Sequence, residues 1–137
     1  GYMENIPVFL EGSSEKIMRF LEDLARRLKC RLYYADSNTR MKVHIAAVFA
    51  CNFTNHMISI ASDLLEQEHI SYEVLQPLIK KTFEKLEQGD PQQNQTGPAK
   101  RNDHITMEKH IKSLKQLPGY EKIYSFVSES IYYMHKK

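Results

Sequence analysis

Glycine is scarce in this 137-residue chain: five residues, at positions 1, 12, 89, 97 and 119. That spacing allows neither a Gly-x-Gly-x-x-Gly turn nor a P-loop, so the chain as it stands has no recognisable dinucleotide site. Tryptophan is absent, and the two cysteines, Cys30 and Cys51, have no metal-type spacing. The expectation is a pair of reduced, buried thiols in a cytoplasmic protein, not a disulfide and not zinc. Charge of one sign is lacking too. A net charge of +2 gives the whole chain no electrostatic case for nucleic acid or membranes. Lys80, Lys81, Lys85, Lys100 and Arg101 are interleaved with Glu84, Glu87 and Asp103, which argues against a nucleic-acid footprint. No apolar run reaches the ~18 residues that span a bilayer. The N-terminus lacks the basic stretch and apolar core of a signal peptide. Gly1 ahead of Tyr2 and Met3 reads as a scar of tag removal, and the chain as a piece of something longer.

What remains is 42% hydrophobic and 26% charged, enough for a globular domain with a sizeable core. "IPVFLEG" (Ile6 to Gly12) reads as a buried strand closed by glycine. Ser13 or Ser14 then caps a helix with the apolar stripe Ile17, Phe20, Leu21, Leu24 and Leu28. "CRLYYAD" (Cys30 to Asp36) reads as a second strand. Strand, helix, strand at this spacing is a βαβ unit, so the strands should be parallel. Two parallel strands are a poor structure alone, so residues 1–36 read as the remnant of an upstream sheet. Its exposed edges should pair across a dimer or with a neighbouring chain.

Residues 37–137 turn helical. Ser37 or Asn38 caps a long helix to about Glu68. Ser71 opens the next, running to Gly89 with a kink or break expected near Gln76, ahead of Pro77. Residues 89–103 read as a loop. Asn102 or Asp103 caps the following helix, Pro118 and Gly119 make a turn, and the last helix follows.

The long helix is unusual. From Val43 to Ser62 it has no Lys, Arg, Asp or Glu. At about 100° per residue, Phe49, Phe53, Met57, Ile60 and Leu64 share a core face, while Arg40, His44, Cys51, Asn52, Asn55 and Ser59 share the other within roughly 120°. Val48 is the apolar exception on that polar face, and His56 lies at its edge. Solvated faces are usually Glu and Lys. A face of small and amide side chains points instead to cover by a ligand or by another helix. Histidine exchanges protons near neutral pH, so His44 is the candidate acid or base, with Asn52 and Asn55 to orient a carbonyl or hydroxyl. A nucleophilic Cys51 is disfavoured, because neither His44 nor His56 lies one turn from it.

The second informative stretch is "NQTGPAKRND". Gly97 permits a positive φ or a close backbone approach, Gln95 and Thr96 offer donors, and Lys100 and Arg101 bring charge to a helix N-terminus, which suits an anion. An ordinary inter-helix loop would look the same.

Taken together, "HIAAVFACNFTNHM" (His44 to Met57), "PLI" (Pro77 to Ile79) and "QTGPAKRND" (Gln95 to Asp103) resemble the C-terminal domain, catalogued as of unknown function, of Rossmann-like oxidoreductases. The layout is similar to the helical C-terminal domains of 6-phosphogluconate dehydrogenase, pyrroline-5-carboxylate reductase and ketopantoate reductase. The resemblance covers nearly the whole chain. It implies a mainly α fold of that kind after a βαβ remnant of a Rossmann domain. It also implies an upstream domain that holds NAD(P), no cofactor bound by this chain alone, and a homodimer. The polar stripe would face the nicotinamide, with His44, Asn52 and Asn55 catalytic. Arg40, His56, Gln95, Thr96, Gly97 and Arg101 would bind a small, anionic hydroxy, oxo or imino substrate. One departure stands out. The hydroxyacid dehydrogenases place Lys and Asn one turn apart on this helix, whereas here His44 is followed one turn on by Val48. The alternative reading is a non-catalytic helical dimerisation or ligand-binding module, for which Tyr120, Tyr124, Tyr132 and Tyr133 on the last helix are suitable interface residues.

Overall fold

In the computed structural model the described residues are 4–136, so the reading of Gly1 as a tag scar lies outside them. The chain opens with strand β1 (Pro7–Leu10), helix α1 (Glu15–Arg27) and strand β2 (Arg31–Tyr34). The strands pair in parallel, from Pro7 opposite Arg31 to Leu10 opposite Tyr34. Both are shorter than the apolar runs suggest. Pro7 has no N–H to give a ladder and therefore starts its strand. Phe9 stacks on Tyr33, its partner in register, at 5.2 Å between ring centres, a cross-strand pair of the kind that fixes a sheet. Ser14, not Ser13, caps α1, its Oγ accepting from the Ile17 N–H at 3.4 Å. Tyr34 donates to Glu22 Oε1 at 2.8 Å and so ties β2 to the helix. That carboxylate holds the Tyr34 hydroxyl above its usual titration range.

The long helix is capped by Asp36, whose Oδ1 accepts from the Thr39 N–H at 2.7 Å, one residue earlier than expected. It is not one continuous α-helix. Helix α2 (Ser37–Ala47) passes into a π-helical segment (Val48–Phe53), and α3 (Thr54–Glu66) follows. Thr54 Oγ1 donates at 3.5 Å to the carbonyl of Phe49, five residues back, which helps satisfy the widened turn. The expected core face is open at its start: Phe49 is 63% exposed and Phe53 47%. They pack edge to face on each other, at 5.0 Å. Against the expectation of no spanning run, Ser37–Glu66 is long and apolar enough, by length and composition alone, to cross a membrane. Its two histidines and three asparagines would each be costly in hydrocarbon, and so favour a face covered by protein or ligand.

The chain divides into two compact units, the first ending at Ser59 and the second beginning at Ile60. The second unit contains one 3-10 turn (Tyr72–Leu75), capped by Ser71, and helix α4 (Gln76–Gln88), with Pro77 in its first turn. The expected break near Gln76 is this junction, since proline is tolerated where no helical N–H is needed. A short helix α5 (Pro91–Asn94) interrupts the expected loop. Helices α6 (His104–Ser113) and α7 (Pro118–His135) close the chain. Pro118 starts α7 rather than a separate turn, at N1, where proline is pre-set for the helix. Tyr120 at the start of α7 donates to Asp63 Oδ2 at 2.7 Å.

Two helices end on residues in the left-handed region that are not glycine. Lys29 (φ 57°) follows α1 and His69 (φ 57°) follows α3. In each case two backbone bonds close the end, Cys30 N–H to Ala25 O and Ile70 N–H to Leu65 O being the longer-range ones. Glycine is the residue these ends favour. His69→Gly should therefore stabilise the fold by roughly 1 kcal/mol, read as a higher urea midpoint at unchanged slope. Among the described residues only Ala25 and Ala99 are buried, while Phe20, Ile105, Phe126 and Tyr133 stand more than half exposed. Neither thiol is buried: Cys51 is exposed and Cys30 half-buried, the latter donating to the Leu28 carbonyl at 3.9 Å. The stripe of α1 is the one the sequence predicts, but Ile17, Phe20, Leu24 and Leu28 on it stand exposed.

Candidate functional site

Both strands of the βαβ unit end on the same side, because they are parallel. Glu11 follows β1 there, and Asp36 follows β2 and caps α2. In parallel α/β sheets this carboxyl edge is where ligands bind, and α2 begins on it. Glu11 closes a ring of polar contacts at that point. Its Oε2 accepts from Ser37 Oγ at 2.6 Å and pairs with Arg40 Nη1 at 2.6 Å, and its Oε1 accepts from the Ser37 N–H at 3.2 Å. Arg40 Nη2 donates in turn to Ser37 Oγ at 3.1 Å. The Ser37 bond first, then the Arg40 charge, hold the Glu11 carboxyl below the usual glutamate range. Arg40, expected as a substrate ligand, is thus engaged by the protein's own carboxylate.

Beyond Arg40 the stripe stands free of the fold around it. His44, Cys51, Asn52, Asn55, His56 and Ser59 are all exposed, and Val48 is half-buried. The π segment changes their alignment. A turn closed by i→i+5 bonds holds about one residue more than an α turn, so positions beyond it lag by roughly 100°. On that count His56 comes to within ~20° of His44, and Asn55 falls to ~80° from it. The sequence puts Asn55 under His44 and His56 at the edge of the stripe; the widened turn exchanges them. The stripe is also long. At about 1.5 Å rise per residue, His44 and Asn52 are ~12 Å apart along the axis, whereas Asn52, Asn55 and His56 lie within about one turn. The three residues expected to be catalytic do not converge on one atom.

In the second unit the predicted loop is held from inside. Gly97 has φ 106° and nothing within 4 Å of where a Cβ would stand, so conformation and not space demands glycine there. Lys100 Nζ donates to Gln95 O at 2.8 Å and to Gln93 O at 3.3 Å. The His135 ring bridges the carbonyls of Gln92 and Ile131, each at 2.9 Å. Gln95 Nε2 turns onto Thr96 O at 2.9 Å instead of offering itself outward. Thr96 and Arg101 are exposed. His110 pairs with the Tyr124 hydroxyl at 2.8 Å. The sequence missed Glu11 and His135. An acidic residue directly after the first strand, with Arg40 one turn into the helix that follows the second strand, was the available signal for Glu11. Nothing local marks His135, whose partner on α5 is 43 residues away in sequence.

Asp103 caps α6, accepting from the Thr106 N–H at 3.1 Å and from the Thr106 hydroxyl at 2.8 Å. The backbone bond, followed by the hydroxyl, holds its carboxyl below the ordinary value. The Thr39 N–H does the same for Asp36. A folded value below the unfolded one means the unfolded chain binds more protons between the two. This stabilisation is complete above the unfolded value, about pH 4, and is lost as pH falls through the folded one. Asp103→Asn keeps a capping oxygen without the titration. Wild type should melt higher than this variant at neutral pH, and the gap should close in acid; a gap independent of pH would refute the assignment.

Residues 6–131 match the model of a family described as a domain of unknown function, DUF2520. Among solved structures the chain is similar to the "putative NADP oxidoreductase BF3122" from Bacteroides fragilis, at 39% identity and TM-score 0.89, over 95% of this chain and 50% of that one. It is also similar to protein TM1727 from Thermotoga maritima, with TM-score 0.77 over 98% of this chain and 55% of that one; at 18% identity this likeness shows the fold alone. The chain therefore spans about half the length of the solved structures it matches. No curated protein matches it.

Proposed function

Because this chain belongs to the DUF2520 family, half the length of whose Bacteroides fragilis relative it spans, we propose that it is the helical substrate-side domain of an NAD(P)-dependent oxidoreductase. The observation that carries this is the exposed, uncharged stripe from His44 to Ser59 on a helix that starts at the carboxyl edge of a parallel strand pair. The fit to a dinucleotide is partial. Five scattered glycines provide no turn for a pyrophosphate, so that part is held by residues outside this chain. A neutral stripe of imidazole and amides does suit an uncharged amide ring and a substrate carbonyl, hydroxyl or imine. When bound, NAD(P) would supply hydride chemistry.

This chain's own contribution is positioning and a proton. His44, nearest the sheet edge, holds or delivers a proton at the substrate oxygen or nitrogen. Asn52 and Asn55, about two and three turns along, orient a more distant part of an extended ligand, with His56 beside them. The Thr96–Gly97 backbone and the exposed Arg101 are the anion-binding elements of the second unit. The test uses the full-length protein: bind NADPH and NADH by fluorescence, then follow oxidation with a panel of small oxo and imino acids. Cofactor binding with turnover of one substrate class is the expected result. Absence of binding to either cofactor would sink the reading.

A second role, homodimerisation, is favoured by Ile105, Phe126, Tyr133 and Met134, all exposed on α6 and α7. Between these helices runs an open groove of about 430 Å³ floored by Met107, Ile111 and Tyr132. Large exposed apolar side chains beside a groove suit an interface. A second copy is its proposed cover, and sedimentation of the full-length protein should show a dimer; a monomer at high concentration would remove this role.

A further inference from the structure

The Glu11–Ser37–Arg40 ring has a use that neither the strand nor the helix explains alone, and the inference drawn from it rests on the oxidoreductase reading above. We infer that Glu11 and Arg40 are positioning residues, which pin the first turn of α2 to the carboxyl end of β1 and so set where the helix presents His44. Arg40, on this assignment, does not bind substrate.

Three observations support this. First, the ring is closed: Glu11 takes Ser37 by both its N–H and its hydroxyl, takes Arg40 at 2.6 Å, and Arg40 returns to Ser37 at 3.1 Å. A substrate carboxylate would have to displace Glu11 to reach the same donors. Second, Glu11 is the only link in this set that comes from outside the helix. Asp36 caps α2 from its own chain end and stabilises the helix without fixing its direction. The Glu11 contacts cross 26 residues of sequence and join the helix to the sheet. Third, His44 lies one turn past Arg40, ~6 Å along the axis, and among the described residues none holds its ring by a hydrogen bond. Its location is therefore inherited from the start of the helix. A tilt there is carried outward along a rigid rod, and misplacement of about 1 Å can cost up to ~10²-fold in rate.

The test takes Glu11→Gln, Arg40→Gln, the double variant and Ser37→Ala in the full-length protein. Ser37→Ala keeps both charges while opening the ring, and guards against a variant that fails to fold. Each single change should lower kcat about ten- to a hundredfold with substrate KM and NADPH binding unchanged. The double variant should be no worse than either single one. If Arg40 is instead a substrate ligand, Arg40→Gln raises KM, Glu11→Gln lowers it, and the inference is overturned. Amide hydrogen exchange supplies a readout independent of turnover. All three single variants should exchange faster at residues 37–44, with α6 and α7 unaffected. Protection unchanged at residues 37–44 would overturn the inference even in an inactive protein. Faster exchange there, in a wild-type background that binds no cofactor, would instead sink the oxidoreductase reading and leave the clamp standing.

Discussion

Replacing His44 by Ala in the full-length protein should cut turnover by ~10²-fold or more while NADPH binding and melting temperature stay as they are. The size follows from the role: a positioned acid or base is worth about 10²–10⁴-fold, and Arg40, the other ionisable side chain on the sheet-proximal part of the stripe, is engaged by Glu11. Because His44 is exposed, truncation leaves no cavity and no orphaned partner, so a loss of rate cannot be read as a loss of fold. His56→Ala is the matched control. The π segment turns His56 onto nearly the same face, yet the rise puts it ~18 Å further along. If His44→Ala is silent and His56→Ala is not, the proton is handled at the far end of the stripe, beside Asn52 and Asn55, and the reacting centre moves with it. Unchanged turnover in both variants would remove histidine from the mechanism.

The second large effect is expected at Gly97. Its φ of 106° lies where an L side chain is strained, at roughly 1–2 kcal/mol. Gly97→Ala should therefore destabilise the second unit by about that amount, a factor of roughly 5–30 in the folded to unfolded ratio, seen as a lower urea midpoint. Space is not the cause, since no atom stands within 4 Å of the missing Cβ; a larger side chain such as Ser should cost about the same as Ala. A much steeper penalty for Ser than for Ala would mean that the site is crowded in the assembled protein, and would point to a ligand or partner lying against the Thr96–Gly97 backbone.

The sequence by itself determined the order and kind of the elements, for reasons that are local. Apolar runs of strand length on either side of a 3.6-period stripe predict β1, α1 and β2, and parallel pairing follows from the length of the connection. Pro77 breaks the chain into a 3-10 turn and α4 because a proline has no N–H to give. The uncharged stripe was legible as well, being a matter of composition from Val43 to Ser62. Which residues of the stripe share a face was not. A single i→i+5 turn at Val48–Phe53 rotates everything beyond it, and no residue in that run announces it. Burial was misjudged for Phe49, Phe53 and the thiols, because periodicity says which face is apolar but not whether anything lies over it. The partner of Arg40 was hidden for a different reason. Glu11 and Ser37 are 26 residues apart, and only the parallel register, which brings the end of β1 beside the start of α2, makes their side chains neighbours. Short-range physics is written in the order of residues, whereas contacts across the sheet depend on the closed tertiary structure.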